Sequence, residues 1–160
     1  MSSVYVASPL GFSEPGRHYL AEVLHPRLVA AGWSLLDPWS DPTGVVAETL
    51  ALSPGRARTE ALVRMSRAIG ERNRSLLAAA AAVLAILDGP DADSGTAAEV
   101  GWAAAHRIPV VGWRSDFRLA DHEAAPVNIQ VEDFVLVSGG RMVASLEEAV
   151  AALEAIRQAA

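Results

Sequence analysis

The sequence contains no cysteine among its 160 residues, which excludes disulfide bonds, thiolate metal sites and cysteine nucleophiles. It also lacks any run of lysines or arginines, and its formal net charge is -6. A surface that binds the phosphate backbone of nucleic acid needs concentrated positive charge. Polymeric nucleic acid is therefore not an expected partner.

A membrane segment and a secretion signal are missing too. The longest apolar run, residues 76–87, is too short to cross a bilayer. The N-terminus has no basic segment followed by an apolar one. We therefore expect a cytoplasmic protein that does not associate with a membrane.

Sequence motifs for metals and nucleotide cofactors are absent. Ser138-Gly139-Gly140 does not match the dinucleotide fingerprint, and there is no Walker sequence. Metal-ligand spacing is not found among the four histidines, His18, His25, His106 and His122. We expect neither a metal nor an organic cofactor.

What is present is the composition of a globular protein, with 51% hydrophobic and 20% charged residues. A domain of this length buries about 70% of the surface of its unfolded chain. No repeat or linker divides the sequence, so we expect residues 1–160 to form one domain.

Short β-prone segments alternate with amphipathic helical patterns. Strands are predicted at residues 4–7, 33–36, 82–87, 109–113 and 134–137. Helices are predicted at residues 17–31, 58–79 with an interruption at Gly70, 96–106 and 146–156. This alternation indicates an α/β fold, a doubly wound five-stranded parallel sheet with helices on both faces, of the flavodoxin-like type.

Ligands of such sheets bind beyond the carboxyl ends of the strands. The loops at those ends begin at Ser8, Asp37, Asp88 and Arg114. The connection from residue 37 to 58, which includes Asp41-Pro42, is long enough to indicate a functional role as a cover over the site.

The densest group of polar residues, 88–99, directly follows the most apolar strand. Gly95 allows close approach of the backbone, and Glu99 is expected in the first turn of a helix, where the helix dipole favours an ionised carboxylate. An ionised carboxylate can act as a nucleophile. The alternative is structural, because Thr96-x-x-Glu99 also matches a capping box.

Several separated segments together resemble the nucleoside 2-deoxyribosyltransferases and their N-glycoside hydrolase relatives. These are the segments at residues 5–12, 87–89, 93–103 and 126–129, of which Gly-Thr-x-x-Glu-x-Gly is the most specific. The resemblance implies that Glu99 is the nucleophile, that Asp93 contacts and helps protonate the departing base, and that Tyr5 orients Glu99. The implied substrates are nucleosides and free nucleobases.

The resemblance also implies a homo-oligomer built from dimers, with a hexamer as one form, in which Asn128 reaches the sugar in a neighbouring site. Asn73 stands where the family often has aspartate, and an amide can hydrogen-bond a base but cannot deliver a proton. Protonation then depends more on Asp93.

Further residues are predicted to bind substrate. Leu10, Phe12 and Trp39 would form the walls of a base pocket, although aromatic residues above a sheet belong to the core at least as often. Asp88 begins the signature segment, but it also fits a solvated loop acid. Ser8 would contact the ligand from the first loop.

Three functions are compatible with these residues. The first is base exchange through a glycosyl-Glu99 intermediate with net retention. The second is hydrolysis of nucleosides or their 5′-monophosphates, with the phosphate held by Ser8, Gly11, Ser13 and Arg17. The third is a non-catalytic sensor in which Glu99 is only a helix cap.

Overall fold

The computed structural model of the chain describes residues 2–40 and 43–159, so the Asp41-Pro42 part of the predicted cover lies outside the described residues. In chain order the elements are β1 (Ser3–Ala7), a 3-10 turn (Leu10–Phe12), α1 (Glu14–Tyr19), a π-helical turn (Leu20–Leu24), α2 (His25–Ala30), β2 (Ser34–Leu36), α3 (Val45–Ala51), α4 (Arg56–Ala79), β3 (Ala82–Ile86), α5 (Ser94–Ala105), β4 (Val110–Trp113), α6 (Ile129–Val137), β5 (Arg141–Val143) and α7 (Leu146–Ala159).

In the described part of the chain, five parallel strands form one sheet in the order β2-β1-β3-β4-β5. Tyr5 of β1 is in register with Leu36 of β2 on one side and with Val83 of β3 on the other. This order confirms the predicted α/β fold, and it is the flavodoxin-like order, in which the direction of winding changes between β1 and β3.

The central strands are buried on both faces, which explains why their sequences are continuously apolar. Alternate residues of β1 belong to different cores because successive side chains point to opposite faces of a sheet. Val4 and Val6 pack in the core with Leu24 and Leu153. Tyr5 packs in the other core, which includes Val100 of α5. Tyr5 therefore lies on the face of the sheet that α5 covers.

The last predicted strand was wrong. Residues 134–137 end helix α6, and the fifth strand is Arg141–Val143. A short apolar run does not distinguish a strand from a helix, and only Val131 and Val135, four residues apart, are buried in α6. Asn128 begins this helix by accepting a hydrogen bond from the Gln130 amide at 3.0 Å.

The predicted interruption of the long helix at Gly70 was also wrong, because α4 continues from Arg56 to Ala79. A β-carbon added at Gly70 would meet no atom within 4 Å. An exposed glycine in a helix interior costs about 1 kcal/mol relative to alanine, which a helix of this length tolerates. Among the described residues, no helix is both long and apolar enough to span a bilayer.

Candidate active site

A cleft of about 800 Å³ opens beside the carboxyl ends of β1 and β3, where the winding of the sheet changes direction. The described residues that line it are Ser8, Phe12, Pro38, Trp39, Ser40, Thr43, Val45, Val46, Ala47, Leu50, Ala68, Ile69, Arg72, Asn73, Asp93, Gly95, Thr96 and Glu99. A smaller hollow of about 360 Å³ lies beside β5, and no predicted site residue lines it.

Tyr5 and Glu99 form a hydrogen-bonded pair at the base of the cleft. The Tyr5 hydroxyl donates to Glu99 Oε1 at 2.5 Å, although the two residues are 94 positions apart in the sequence. Tyr5 is fully buried in β1, so its ring cannot move away from this contact without disturbing the core. Glu99 Oε2 accepts no hydrogen bond from a described residue and is the oxygen left for a ligand.

The surroundings of this pair shift both pKa values upward. Burial raises the pKa of the Glu99 carboxyl, the Tyr5 hydroxyl acts against that shift, and the charge of Asp93 adds to it. Burial and the Glu99 carboxylate raise the pKa of Tyr5 far above its usual value near 10, so the phenol remains a hydrogen-bond donor. Tyr5 is thus the group that favours the ionised form of Glu99.

The predicted helix start beside Glu99 needs correction. α5 begins at Ser94, so Glu99 is in the second turn rather than the first. The N-cap is Asp93, whose Oδ2 accepts from the Thr96 amide at 3.0 Å and from Thr96 Oγ1 at 3.3 Å. The Thr96-x-x-Glu99 capping box does not form, because the Glu99 side chain turns to Tyr5 instead.

Asp93 combines the structural role of a cap with a position in the cleft. Its Oδ1 accepts no hydrogen bond from the described part of the chain, so this oxygen is available to a ligand. The effect of Asp93 on the pKa of Glu99, which adds to that of burial, indicates that the two carboxyl groups are close. The site therefore offers one carboxylate held by Tyr5 and a second with a free oxygen.

Trp39 closes one side of the cleft. Its Nε1 donates to the Ser8 carbonyl at 2.7 Å, which connects the loop after β2 to the loop after β1. Its ring lies so close to Gly11 that a β-carbon there would be 1.9 Å from it. Phe12 meets the same ring edge-on, with 4.5 Å between the ring centroids, and remains 73% exposed. Phe12 and Trp39 thus present aromatic surface to a ligand.

Arg72 of α4 was missed by the sequence analysis. Its guanidinium donates to the Pro38 carbonyl at 3.1 Å, to the Asp37 carbonyl at 3.2 Å and to Ser40 Oγ at 2.6 Å. These contacts hold the loop that carries Trp39 against α4. No sequence signal identifies this arginine among those of α4, because its partners are mostly backbone carbonyls of a distant loop.

Asn73 follows Arg72 and also lines the cleft. Its Oδ1 is buried and has no hydrogen-bond partner. A buried acceptor without a donor is destabilising by about 1–3 kcal/mol, so a ligand that supplies an N–H group would stabilise this arrangement.

Three residues that were predicted to bind substrate lie outside the cleft lining. Leu10 packs against the core on the α7 side of the sheet. Asp88 accepts hydrogen bonds from the Ser115 amide and hydroxyl, both at 2.6 Å, and from the Asp116 amide at 2.8 Å. Asn128 caps α6. Asp88 thus joins the loops after β3 and β4, and the ligand-binding roles of all three stay predictions.

The donors of the first loop are largely used within that loop. The Leu10 amide donates to Ser8 Oγ at 3.0 Å, the Gly16 amide to Ser13 Oγ at 3.1 Å, and Arg17 to the Gly11 carbonyl at 3.0 Å. A phosphate bound here would have to compete with these contacts.

The chain matches the sequence model of one protein family over residues 4–140, namely the nucleoside 2-deoxyribosyltransferases. The match includes Tyr5, Asp93, Glu99 and Asn128. No curated protein sequence matches the chain at a significant level.

Solved structures with the same fold include three that cover almost the whole chain. A conserved protein from Enterococcus faecalis V583 has 24% identity and a TM-score of 0.70, with 100% of this chain and 99% of that chain covered. A 2-deoxyribosyltransferase from Leishmania mexicana has 22% identity and a TM-score of 0.65, at 97% and 98% coverage. A 2-deoxyribosyltransferase from Bacillus psychrosaccharolyticus has 16% identity and a TM-score of 0.61, at 92% and 89% coverage.

Proposed function

Because the chain belongs to the nucleoside 2-deoxyribosyltransferase family, we propose that it transfers the deoxyribosyl group of 2′-deoxyribonucleosides from one nucleobase to another through an ester on Glu99. The observation that carries this proposal is the contact of the buried Tyr5 hydroxyl with Glu99 Oε1, which leaves Oε2 free in the cleft. A carboxylate that serves only as a helix cap would bond to the helix backbone instead.

The reaction proceeds in two displacements. Glu99 Oε2 attacks C1′ of the sugar while the bond from C1′ to the base nitrogen breaks, and the departing base keeps the bonding pair and takes a proton from Asp93. A nitrogen of the second base then attacks C1′, the ester bond breaks, and Glu99 is released as a carboxylate. Two inversions at C1′ give net retention.

Transfer requires that a base, rather than water, resolves the ester. Phe12, Trp39 and Ile69 give the cleft apolar walls, on which a flat base can stack and displace water. This supports exchange over hydrolysis. The engaged donors of the first loop favour nucleosides over their 5′-monophosphates as substrates.

Product analysis distinguishes the three candidate functions. With 2′-deoxyadenosine and free hypoxanthine, exchange predicts 2′-deoxyinosine and adenine in equal amounts, measured by liquid chromatography. Without an acceptor, the intact mass of the protein should increase by one deoxyribosyl group and return to its original value when hypoxanthine is added. Release of free deoxyribose at a rate independent of acceptor would indicate a hydrolase, and binding without cleavage would indicate a sensor.

Tyr5→Phe is expected to lower kcat about 10- to 100-fold, because a hydrogen bond to a charged group contributes about 1.5–3 kcal/mol. The Tyr5 hydroxyl lowers the pKa of Glu99, whereas burial raises it. Its removal should therefore shift the acidic limb of the pH profile of kcat/KM to higher pH. A uniform loss of activity with an unshifted profile would contradict this role of Tyr5.

We also propose that the protein is a homo-oligomer in which Asn128 reaches a neighbouring site. Asn128→Ser keeps an N-cap on α6 but shortens the side chain, so it should reduce activity with little loss of stability. Mixing this variant with inactive Glu99→Gln subunits should restore up to about a quarter of the sites, because random pairing in dimers makes half of them mixed. No recovery after subunit exchange, checked by native mass spectrometry, would contradict a shared site.

A further inference from the structure

Helix α4 is much longer than the strands beside it. Its 24 residues extend about 36 Å, whereas the five residues of β1 extend about 17 Å. Its C-terminal end leads into the start of β3, so the excess length lies beyond the carboxyl edge of the sheet. α3 packs on α4, to which a short connection joins it.

The overhang of α4 and the adjoining α3 form one apolar end of the cleft, which we call the outer wall. Its residues are Val45, Val46, Ala47, Leu50, Ala68 and Ile69. Leu50 is 51% exposed and Val45 is 38% exposed although both line a concave site. Apolar surface of this kind, concave and adjoining polar groups, is typical of a ligand subsite.

The outer wall is continuous with the site that contains Glu99. Ala68 and Ile69 lie one helical turn before Arg72 and Asn73, so all four share one face of α4. The Arg72 end is the inner end, because the guanidinium is close enough to Tyr5 for its charge to offset part of the effect of burial on the pKa of the hydroxyl. The cleft thus runs from Glu99, past Asn73, to the outer wall.

We propose that the outer wall binds an apolar substituent on the base, so that the preferred donors are 2′-deoxyadenosines with an alkyl or arylalkyl group on N6. This inference rests on the proposed function. The 6-position of a purine is on the edge opposite the sugar, so its substituent points away from Glu99. An N6-monosubstituted adenine keeps one N–H, and this donor can satisfy the buried Oδ1 of Asn73.

The test compares 2′-deoxyadenosine with N6-benzyl-2′-deoxyadenosine as donors in the exchange assay with hypoxanthine. The benzylated donor is expected to have a KM about tenfold lower, since an added apolar group in a fitting pocket gains roughly 10-fold or more. Leu50→Asn should raise the KM of the benzylated donor about fivefold and change that of 2′-deoxyadenosine less than about twofold. Leu52→Asn is the matched control, because Leu52 is similarly exposed at 43% but does not line the cleft.

Equal KM values for the two donors, or an equal effect of Leu50→Asn on both, would overturn the proposal. The second result would mean that these residues only cover any bound nucleoside. Binding of N6-benzyladenine and adenine to the Glu99→Gln variant, measured by calorimetry, separates this inference from the proposed function. Tighter binding of the benzylated base, lost in a Glu99→Gln, Leu50→Asn double variant, supports the outer wall even if no exchange occurs. Exchange without any preference for the benzylated base refutes the outer wall alone.

Discussion

Glu99→Gln is expected to lower the rate of base exchange by at least about 10³-fold, because an amide oxygen cannot form the ester that links the two displacements. Glutamine has nearly the shape of glutamate and can still accept the hydrogen bond of the Tyr5 hydroxyl. The loss should therefore appear in kcat, measured with 2′-deoxyadenosine and hypoxanthine, with little change in KM.

The stability of the same variant should change in the opposite direction. Burial raises the pKa of Glu99 in the folded protein, so ionisation of this group opposes folding. The stabilisation by the protonated form is complete below the unfolded pKa near 4.5 and is lost as pH rises through the higher folded pKa. Glu99→Gln should accordingly match the wild type in acid and equal or exceed it near pH 7, as measured by urea unfolding.

A glutamate that acted only as a helix cap predicts a different pair of results. Its replacement would lower the stability of the protein by about 1 kcal/mol and leave exchange nearly intact. Glu123→Gln is the matched control, because it makes the same substitution at an exposed position outside the cleft lining. Loss of stability in Glu99→Gln with retained activity would refute the nucleophile assignment.

The sequence was sufficient to predict the sheet because its central strands are buried on both faces and read as continuous apolar runs. It was insufficient at the edge of the sheet. Only three residues form β5, and none of them is fully buried, so they carry no strand pattern. The more apolar residues 134–137 attracted the strand prediction, although their burial in α6 follows a helical period.

The candidate site was predictable only where motif residues point into the cleft. Tyr5, Asp93 and Glu99 follow from local segments, and the structure brings them together. Arg72 acts on a loop more than thirty residues away, and such a contact leaves no local pattern. Asp88 shows the reverse error, because an acid at a strand end can as readily join two loops as bind a ligand.

The choice of Asp93 as N-cap also explains why Thr96 gave a misleading signal. Asp93 and Thr96 both match the preferences of an N-cap, and three positions separate them. In the structure the earlier residue is the cap and the Thr96 amide is its donor, so the motif residue and the helix boundary coincide at Asp93. Removing the carboxylate without removing the cap therefore requires asparagine.

Asp93→Asn is expected to lower the exchange rate about 10²- to 10³-fold, because a positioned proton donor contributes in this range and an amide cannot replace it. Asparagine caps helices as well as aspartate does, so the stability of the protein should stay within about 0.5 kcal/mol of wild type. Asp93→Ala should show a similar loss of activity and, in addition, a loss of about 1 kcal/mol from the missing cap. Urea unfolding of both variants separates the two roles.

A donor whose base needs no proton makes the assignment of Asp93 decisive. The base of 7-methyl-2′-deoxyguanosine is already cationic, so it leaves as a neutral molecule without protonation. Asp93→Asn should cleave this donor at close to the wild-type rate while it remains slow with 2′-deoxyadenosine. If Asp93 instead only fixes the start of α5 beside Glu99, asparagine will preserve activity toward both donors and alanine will impair both equally. The ratio of the two rates therefore reports proton transfer and is insensitive to a general disturbance of the site.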